Sequence, residues 1–236
     1  ALCALLLGLQ TSGMWYPSPD GARYLSLARS FSSFESPTLF GDSSIYIAPF
    51  YSLIISPLFH LSDRPFLWLS LFEWMTALAL IAGVYRWARS ACPRWAVFIT
   101  CMVVLNHSIS LYYRRTLKET LFMALSIWAI NLMHVLLAGR AGKARTALTA
   151  CGVACLLCMS TLTRYVALVF VAGFAAGMIL QAYRRRGGYA RAALLTAAVA
   201  VPPVVALAAW LEFTANYAQE GYLVAATRPY ADAVGA

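Results

Sequence analysis

Charged residues are scarce in this sequence. Only 9 of its 236 residues are acidic and 18 are basic, so 11% are charged, against about 25% in an average soluble domain. Hydrophobic residues make up 61% of the chain, and its mean hydropathy is +0.70. This composition excludes a soluble globular domain and predicts an all-α, polytopic membrane protein.

Histidine is rarer still, and the cysteines do not indicate a metal site. His60, His107 and His134 are far apart in the chain, so each is predicted to be a polar packing residue rather than a ligand. Three cysteines between positions 151 and 158 have the C-x3-C-x2-C spacing of the iron–sulfur site in radical enzymes that use S-adenosylmethionine. They lie in the apolar run 147–162, where we expect them to be small packing residues on one helix face.

The net charge is +9, and nearly all of it comes from arginine. In a soluble protein such a charge would indicate nucleic acid as a partner. Here the basic residues cluster in short loops between apolar runs, so we expect them to set the topology and to contact anionic membrane lipids, with no nucleic-acid binding. Loops 86–94, 140–145 and 184–191 hold ten of them and the opposite loops hold five. This asymmetry predicts that the first three loops are cytoplasmic.

The apolar runs predict a helix bundle of about seven transmembrane spans. The chain has no initiator Met, begins within an apolar run and ends in a polar stretch. We therefore expect 1–236 to be a fragment of one membrane module. The span segments are 1–9, 65–85, 95–111, 121–138, 147–162, 165–183 and 190–211.

One further apolar run, 45–61, is not expected to cross the membrane. It has only 17 residues and contains Pro49 and Pro57, whereas a span needs about 20 residues. We expect it to dip into the membrane and return, or to lie in the interface. Residues 10–64 then form a long first outer loop with short interfacial or re-entrant helices, and 212–236 begin a further outer loop.

The first outer loop contains a polar segment that begins Pro19-Asp20-Gly21. Proline and glycine place Asp20 at a turn. Apolar residues recur after it at helical spacing, which predicts a short amphipathic helix along the bilayer surface. Asp20 either caps this helix or takes part in polar chemistry at the membrane face, and the local spacing alone favours the cap.

Four short motifs, in order along the chain, resemble the membrane glycosyltransferases of the GT-C fold. Segment 19–31 reads P-D-x-x-x-Y-x-x-x-A-R-S-F, 48–53 reads A-P-F-Y-S-L, 114–122 reads R-R-T-L-K-E-T-L-F, and 162–165 reads L-T-R-Y. The groups that they resemble most are the bacterial relatives of protein O-mannosyltransferases and of the lipid A aminoarabinose transferase. The motifs depart from the family where Gly21 replaces a frequent glutamate and Ala48 and Ser52 replace prolines.

The resemblance implies an inverting transfer of a hexosyl or pentosyl group from a polyprenyl-phosphate donor to a lipid, glycan or protein acceptor. The reaction would take place at the outer face of the inner or plasma membrane. The resemblance implies that Asp20 is the catalytic base and that Glu119 is a second acidic residue of the same cavity. A divalent metal held by Asp20 and Glu119 is the one cofactor that it leaves open. It further implies that four cations bind the donor phosphate (Arg114, Arg115, Lys118 and Arg164) and that three residues line the substrate cavity (Arg23, Tyr24 and Tyr51).

Two alternatives stay open at this point. Glu119 is either that second acidic residue or a helix-start carboxylate, favoured by the helix dipole or paired with Arg115. The competing function is a polytopic transporter or flippase for a lipid-linked or anionic substrate, with Glu73 inside span 65–85 on the substrate path. For Glu73 itself, a structural hydrogen bond to another helix is the preferred prediction, and Arg64 is another candidate partner.

Overall fold

The computed structural model describes residues 18–33, 38–40, 47–62, 65–106, 118–139, 142–184 and 188–217. Within these ranges every regular element is a helix and no strand forms, which confirms the all-α class. Two 3₁₀ turns, Pro93–Trp95 and Tyr165–Ala167, join helices. The α-helices are α1 (Pro19–Ser32), α2 (Phe50–Ile55), α3 (Leu58–Leu61), α4 (Phe66–Ala91), α5 (Ala96–Leu105), α6 (Lys118–Ala138), α7 (Lys143–Thr163), α8 (Leu168–Arg184) and α9 (Tyr189–Tyr217).

Five of the described helices are long and apolar enough to cross a membrane: α4, α6, α7, α8 with its preceding turn, and α9. The sequence predicted about seven spans. Of the other two, 1–9 lies outside the described residues, and the described helix within 95–111 is α5, which has 10 residues. The protein is a multi-pass membrane protein, with five candidate spans in its described part.

The apolar run 45–61 contains two short helices rather than one span. Helix α2 has 6 residues and α3 has 4, so at about 1.5 Å per residue neither is long enough to cross a bilayer. Pro49 and Pro57 stand immediately before the first turns of α2 and α3. Proline has no backbone N–H, and it is tolerated there because the N–H groups at the start of a helix have no partner within the helix.

Helix α6 packs along α4 on one side and along α7 on the other. Gly83 allows α4 to come close, since a Cβ at this position would lie 2.5 Å from Ile127 Cγ2. At the same crossing Trp128 Nε1 donates to the Ala79 carbonyl over 2.9 Å, and Asn131 Nδ2 donates to the Gly83 carbonyl over 3.0 Å. Close backbone approach and interhelical hydrogen bonds of this kind stabilise helix pairs in membranes.

A second core joins α6, α7, α8 and α9. Helix α9 packs against both α7 and α8. Because each helix contributes apolar residues at helical spacing, the four form one continuous buried cluster. Its largest members are Met133, Leu136, Val153, Leu157, Phe174, Met178, Leu195 and Val199.

Several residues that the sequence predicted to pack in the bundle lie on the surface instead. Cys151 and Cys155 are exposed on α7, and the third cysteine of that motif is half-buried. His60 and His134 are exposed as well, and the remaining histidine lies outside the described residues. The packing prediction is therefore wrong for these four side chains, because the faces that bear them are not covered by another described helix.

Helices α1 and α2 pack against the end of the bundle at which α4 and α6 begin. Ser52 Oγ of α2 donates to the Tyr24 carbonyl of α1 over 3.0 Å. Arg164, the first residue after α7, lies at the same end. We call this the Lys118 end of the bundle. The apolar side chains that join the short helices to α4 and α6 there are Tyr24, Leu27, Ala28, Tyr51, Ile55, Leu69 and Leu121.

Candidate functional site

A group of charged side chains lies at the Lys118 end. The Lys118 ammonium lies over the Tyr24 ring, 5.3 Å from its centre. Lys118 begins α6 and Tyr24 follows Asp20 by one turn of α1, so this cation–π contact brings the two helix N-termini together. Lys118 also interacts electrostatically with Glu119, Arg164 and Asp20. These four charged residues form one group, which we call the charged group.

Asp20 does not cap α1. The N-cap is Ser18, whose Oγ accepts a hydrogen bond from the Gly21 N–H over 2.9 Å. The prediction that Asp20 is the cap is therefore wrong, because the serine before it already satisfies this part of the helix N-terminus. Asp20 lies in the first turn, where the helix dipole favours a carboxylate. Its Oδ1 lies 3.1 Å from Arg23 Nη1, and its side chain is 60% exposed, so the carboxylate stays accessible.

Glu119 pairs with Arg164 from a different helix boundary. Arg164 Nη1 lies 3.4 Å from Glu119 Oε1, and the Glu119 side chain is only 19% exposed. The other oxygen, Oε2, is buried and has no hydrogen-bond partner among the described residues. Since buried polar atoms normally have partners, we expect the partner of this oxygen to come from outside the described residues, from a ligand or from a water molecule. The alternative partner, Arg115, lies outside the described residues.

Arg164 is positioned by its backbone and by an aromatic ring. Its φ of −151° is extended, which ends α7 before the next turn begins. Its guanidinium carbon lies 5.8 Å from the centre of the Phe122 ring, and that ring contacts Phe170. The Arg164 side chain is 42% exposed. The ring and Glu119 hold part of the guanidinium, and the remaining N–H groups are available to an anion.

A buried pair, Tyr51 and Glu73, lies close to the charged group. The Tyr51 hydroxyl of α2 donates to Glu73 Oε1 of α4, and both side chains are buried. Burial, together with the adjacent Glu73 carboxylate, raises the pKa of Tyr51 well above its usual 10.0. The phenol therefore keeps its proton and acts as the donor. The prediction of a structural hydrogen bond between Glu73 and another helix is confirmed, with Tyr51 as the partner.

The three residues predicted to line the substrate cavity differ in accessibility. Arg23 is 39% exposed beside Asp20. Tyr24 is nearly buried, with the face of its ring toward Lys118. Tyr51 is fully buried and contacts Tyr24 edge to face, with ring centres 5.3 Å apart. Tyr51 thus supports Tyr24 from behind the surface that a substrate would reach.

The charged group suits an anion better than a divalent metal. The described residues contain no group of three His, Cys, Asp or Glu side chains arranged to hold an ion. The two carboxylates that the resemblance offered as ligands, Asp20 and Glu119, are each paired with an arginine. Lys118 interacts with both of them, and its positive charge opposes binding of a cation there.

The structure thus brings together most of the residues that the sequence indicated. Arg114 and Arg115 lie outside the described residues. No protein-family model, curated protein or solved structure matches this chain. The predicted residues found at the Lys118 end are Asp20, Arg23, Tyr24, Tyr51, Lys118, Glu119 and Arg164.

Proposed function

We propose that this protein is a membrane glycosyltransferase of the GT-C type. It transfers a hexosyl or pentosyl group from a polyprenyl-phosphate donor to a lipid, glycan or protein acceptor. The observation that carries the proposal is the charged group at the end of the helix bundle. In this group the exposed Asp20 carboxylate lies with the cations Lys118 and Arg164 at the end of the bundle where α4 and α6 begin. This arrangement suits a reaction in which a carboxylate takes up a proton and a lipid phosphate leaves.

In this reaction the acceptor hydroxyl oxygen forms a bond to the anomeric carbon, while the bond from that carbon to the phosphate oxygen breaks. Asp20 takes the hydroxyl proton, and the bonding electrons leave with the lipid phosphate. Attack from the face opposite the phosphate inverts the anomeric carbon. Asp20 suits the role of base because its carboxylate is accessible and is not used as the helix cap.

The leaving phosphate gains negative charge as its bond to the sugar breaks. Cations that are in place before the reaction stabilise that charge in the transition state. Lys118 and Arg164 supply this function, and the planar guanidinium of Arg164 is suited to two parallel hydrogen bonds with phosphate oxygens. Arg114 and Arg115, shortly before Lys118 in the sequence, belong to the same proposal. Glu119 orients Arg164 through their ion pair.

We place the Lys118 end at the outer face of a cell membrane. In sequence order, loops 86–94, 140–145 and 184–191 join the helix ends opposite the Lys118 end, and they hold ten basic residues, which favours the cytoplasm for them. The donor would then enter from the outer leaflet, among membrane lipids, in a reaction that builds the cell envelope. Segments 1–9 and 95–111 would complete a bundle of about seven spans.

Transfer of radiolabelled sugar by the full chain in lipid vesicles tests the proposal. Polyprenyl-phosphate mannose and polyprenyl-phosphate arabinose serve as the hexosyl and pentosyl donors. Because a positioned base contributes about 10²–10⁴-fold, Asp20→Asn should lower turnover by about 10²-fold or more while donor binding is retained. Arg94→Gln, at the opposite end of the bundle, should keep wild-type activity. Undiminished transfer by Asp20→Asn would remove Asp20 from the reaction.

One observation favours a second candidate function, a transporter or flippase for a lipid-linked or anionic substrate. Glu73 Oε2 is buried within α4 and has no hydrogen-bond partner in the described part of the chain. Ionisable groups within membrane spans often mark substrate paths. A flippase would move a fluorescent polyprenyl phosphate between the vesicle leaflets without breaking it, and Glu73→Gln would stop that movement. Sugar transfer without lipid movement would exclude this candidate.

A further inference from the structure

A polar cavity lies beside the C-terminal half of α1. It has a volume of about 460 Å³, within the range of roughly 300–1,000 Å³ usual for ligand pockets. Arg29 in its wall follows Asp20 by nine residues, about 14 Å along the helix. The cavity therefore shares no residue with the charged group. Its lining residues are Ser26, Arg29, Ser30, Ser32, Ser33, Thr38 and Phe59.

The cavity presents hydrogen-bond donors and a positive charge. The Arg29 guanidinium makes no hydrogen bond or ion pair with any described residue, and neither does the Thr38 hydroxyl. Ser26 Oγ accepts from the Phe40 N–H over 2.8 Å, which leaves its own proton for donation. No carboxylate is found among the described residues that line the cavity. Hydroxyl donors and a guanidinium that have no partner among the described residues are complementary to a phosphate group.

The walls of the cavity are fixed by hydrogen bonds of their own. Ser30 Oγ accepts from the Thr38 N–H over 2.9 Å, and the Ser32 hydroxyl donates to the Arg29 carbonyl over 2.7 Å. The bonds from the Thr38 N–H to Ser30 and from the Phe40 N–H to Ser26 hold segment 38–40 against α1. Phe40 has a φ of 55°, a left-handed conformation that side chains rarely adopt. A ligand would therefore find the walls largely formed and would lose little affinity in ordering them.

Apolar surface adjoins this polar cavity. Phe59 of α3 forms one wall, and the same pair of short helices exposes Leu53, Ile54 and Leu61. A free phosphate ion would use only the polar part. A lipid with a phosphate head group and hydrocarbon chains would use both. We infer that the cavity binds the head group of an anionic phospholipid of the phosphatidylglycerol type, with its phosphate at Arg29 and its chains along α2 and α3.

Binding of a fluorescent short-chain phosphatidylglycerol to the full chain in detergent micelles tests this inference, with anisotropy as the readout. Because a charge-assisted hydrogen bond is about twice as strong as a neutral one, Arg29→Gln should weaken binding about tenfold or more. Arg29→Lys should restore part of the loss. Thr38→Val removes the side-chain hydroxyl but keeps the backbone N–H that donates to Ser30 Oγ, and it should weaken binding a few-fold. Arg94→Gln, at an exposed arginine on the Pro93–Trp95 turn, is the matched control for the general attraction of anionic lipid to a basic residue, and it should weaken binding far less than Arg29→Gln does.

Arg29 is exposed, so its variants should fold, and their circular dichroism should match that of the wild type. Equal binding by Arg29→Gln and wild type would overturn the inference, and so would an equal loss in Arg94→Gln. Phosphatidylcholine binding as tightly as phosphatidylglycerol would show that the cavity does not select an anion. Glycerol 1-phosphate competing as well as the lipid would assign the cavity to a soluble phosphate instead. None of these outcomes depends on sugar transfer.

Discussion

Replacing Tyr51 with phenylalanine removes one oxygen from the protein interior and leaves Glu73 without its hydrogen-bond donor. The phenyl ring keeps the edge-to-face contact with Tyr24, at 5.3 Å between ring centres, so the packing changes little. Glu73 Oε2 already lacks a described partner, so both oxygens of a buried carboxyl group would be unpaired. An unpaired buried polar group costs about 1–3 kcal/mol, and more if it is charged. We expect the free energy of unfolding to fall by about 2–4 kcal/mol.

A second substitution separates the lost hydrogen bond from any lost packing. In the double variant Tyr51→Phe with Glu73→Leu, neither partner of the pair remains. No polar group is then left unpaired in the interior at this position. We expect the double variant to be more stable than Tyr51→Phe alone by at least about 1 kcal/mol, although it has lost both polar side chains.

The free energy of unfolding is measured by titrating the full chain in mixed micelles with a denaturing detergent and following helical circular dichroism. Ser70→Ala is the control, because it also removes one hydroxyl group. The Ser70 hydroxyl is exposed on α4 and donates to the Phe66 carbonyl of the same helix. Its effect should stay within about 0.5 kcal/mol. A Tyr51→Phe protein as stable as the wild type would refute the reasoning. A double variant less stable than the single one would refute it too.

Four further predictions concern stability and activity. Burial raises the pKa of Tyr51, so as the pH rises the phenol ionises in the unfolded protein before it does in the folded one. The stability difference between wild type and Tyr51→Phe should therefore shrink above about pH 10, by about 1.4 kcal/mol per pH unit. Detergent titrations at pH 9, 10 and 11 measure this difference. Gly83→Ala should destabilise the protein by about 1–3 kcal/mol in the same titration, because the new Cβ would lie 2.5 Å from an α6 side chain. Gly173 has open space around it, so Gly173→Ala should stabilise the protein by up to about 1 kcal/mol. Ser18→Ala should cost about 1 kcal/mol through loss of the α1 cap, and an unchanged midpoint would contradict that role. Arg164→Gln should lower sugar transfer by about 10²-fold, and full activity in that variant would exclude it from phosphate stabilisation.

The membrane-spanning elements could be predicted from the sequence because hydropathy over a span is a local property. Runs 121–138 and 147–162 each lie within a single long helix of the structure, and so does run 65–85 apart from its first residue, Pro65. The interruption of 45–61 could also be anticipated, since proline at a fixed position ends one helix and permits another to begin. Which face of a span is buried could not be predicted in the same way. Exposed Cys151 and Cys155 show why, because lipid and protein interior are both apolar.

The cap of α1 was mispredicted although the sequence carried a signal for it. Both Ser18 and Asp20 are residues that commonly cap helices. Pro19 decides between them, because proline is favoured at the first helical position, directly after the cap. Pro19 therefore indicates Ser18 as the cap and places Asp20 in the first turn.

The pairing of Tyr51 with Glu73 was beyond sequence reasoning. The two residues are 22 positions apart, on helices whose mutual angle depends on the loop between them. Spacing within one helix can show which residues share a face, but it cannot show which face meets a neighbouring helix. The charged group could be anticipated only because four separate motifs indicated one site. The pairing of Glu119 with Arg164 inside the group came from the structure.

The contact between Tyr24 and Lys118 also has a consequence for how the protein is made. Lys118 follows Tyr24 by almost a hundred residues, so at about 5–20 residues per second the ribosome needs roughly 5–20 s to supply the partner. Until then the buried cluster that contains Leu27 and Ala28 of α1 lacks its member from α6, Leu121. The membrane surface is the natural place for an amphipathic helix to wait. The charged group therefore forms late in synthesis, and a nascent chain stalled before Arg164 would already have inserted its first spans without having a complete site.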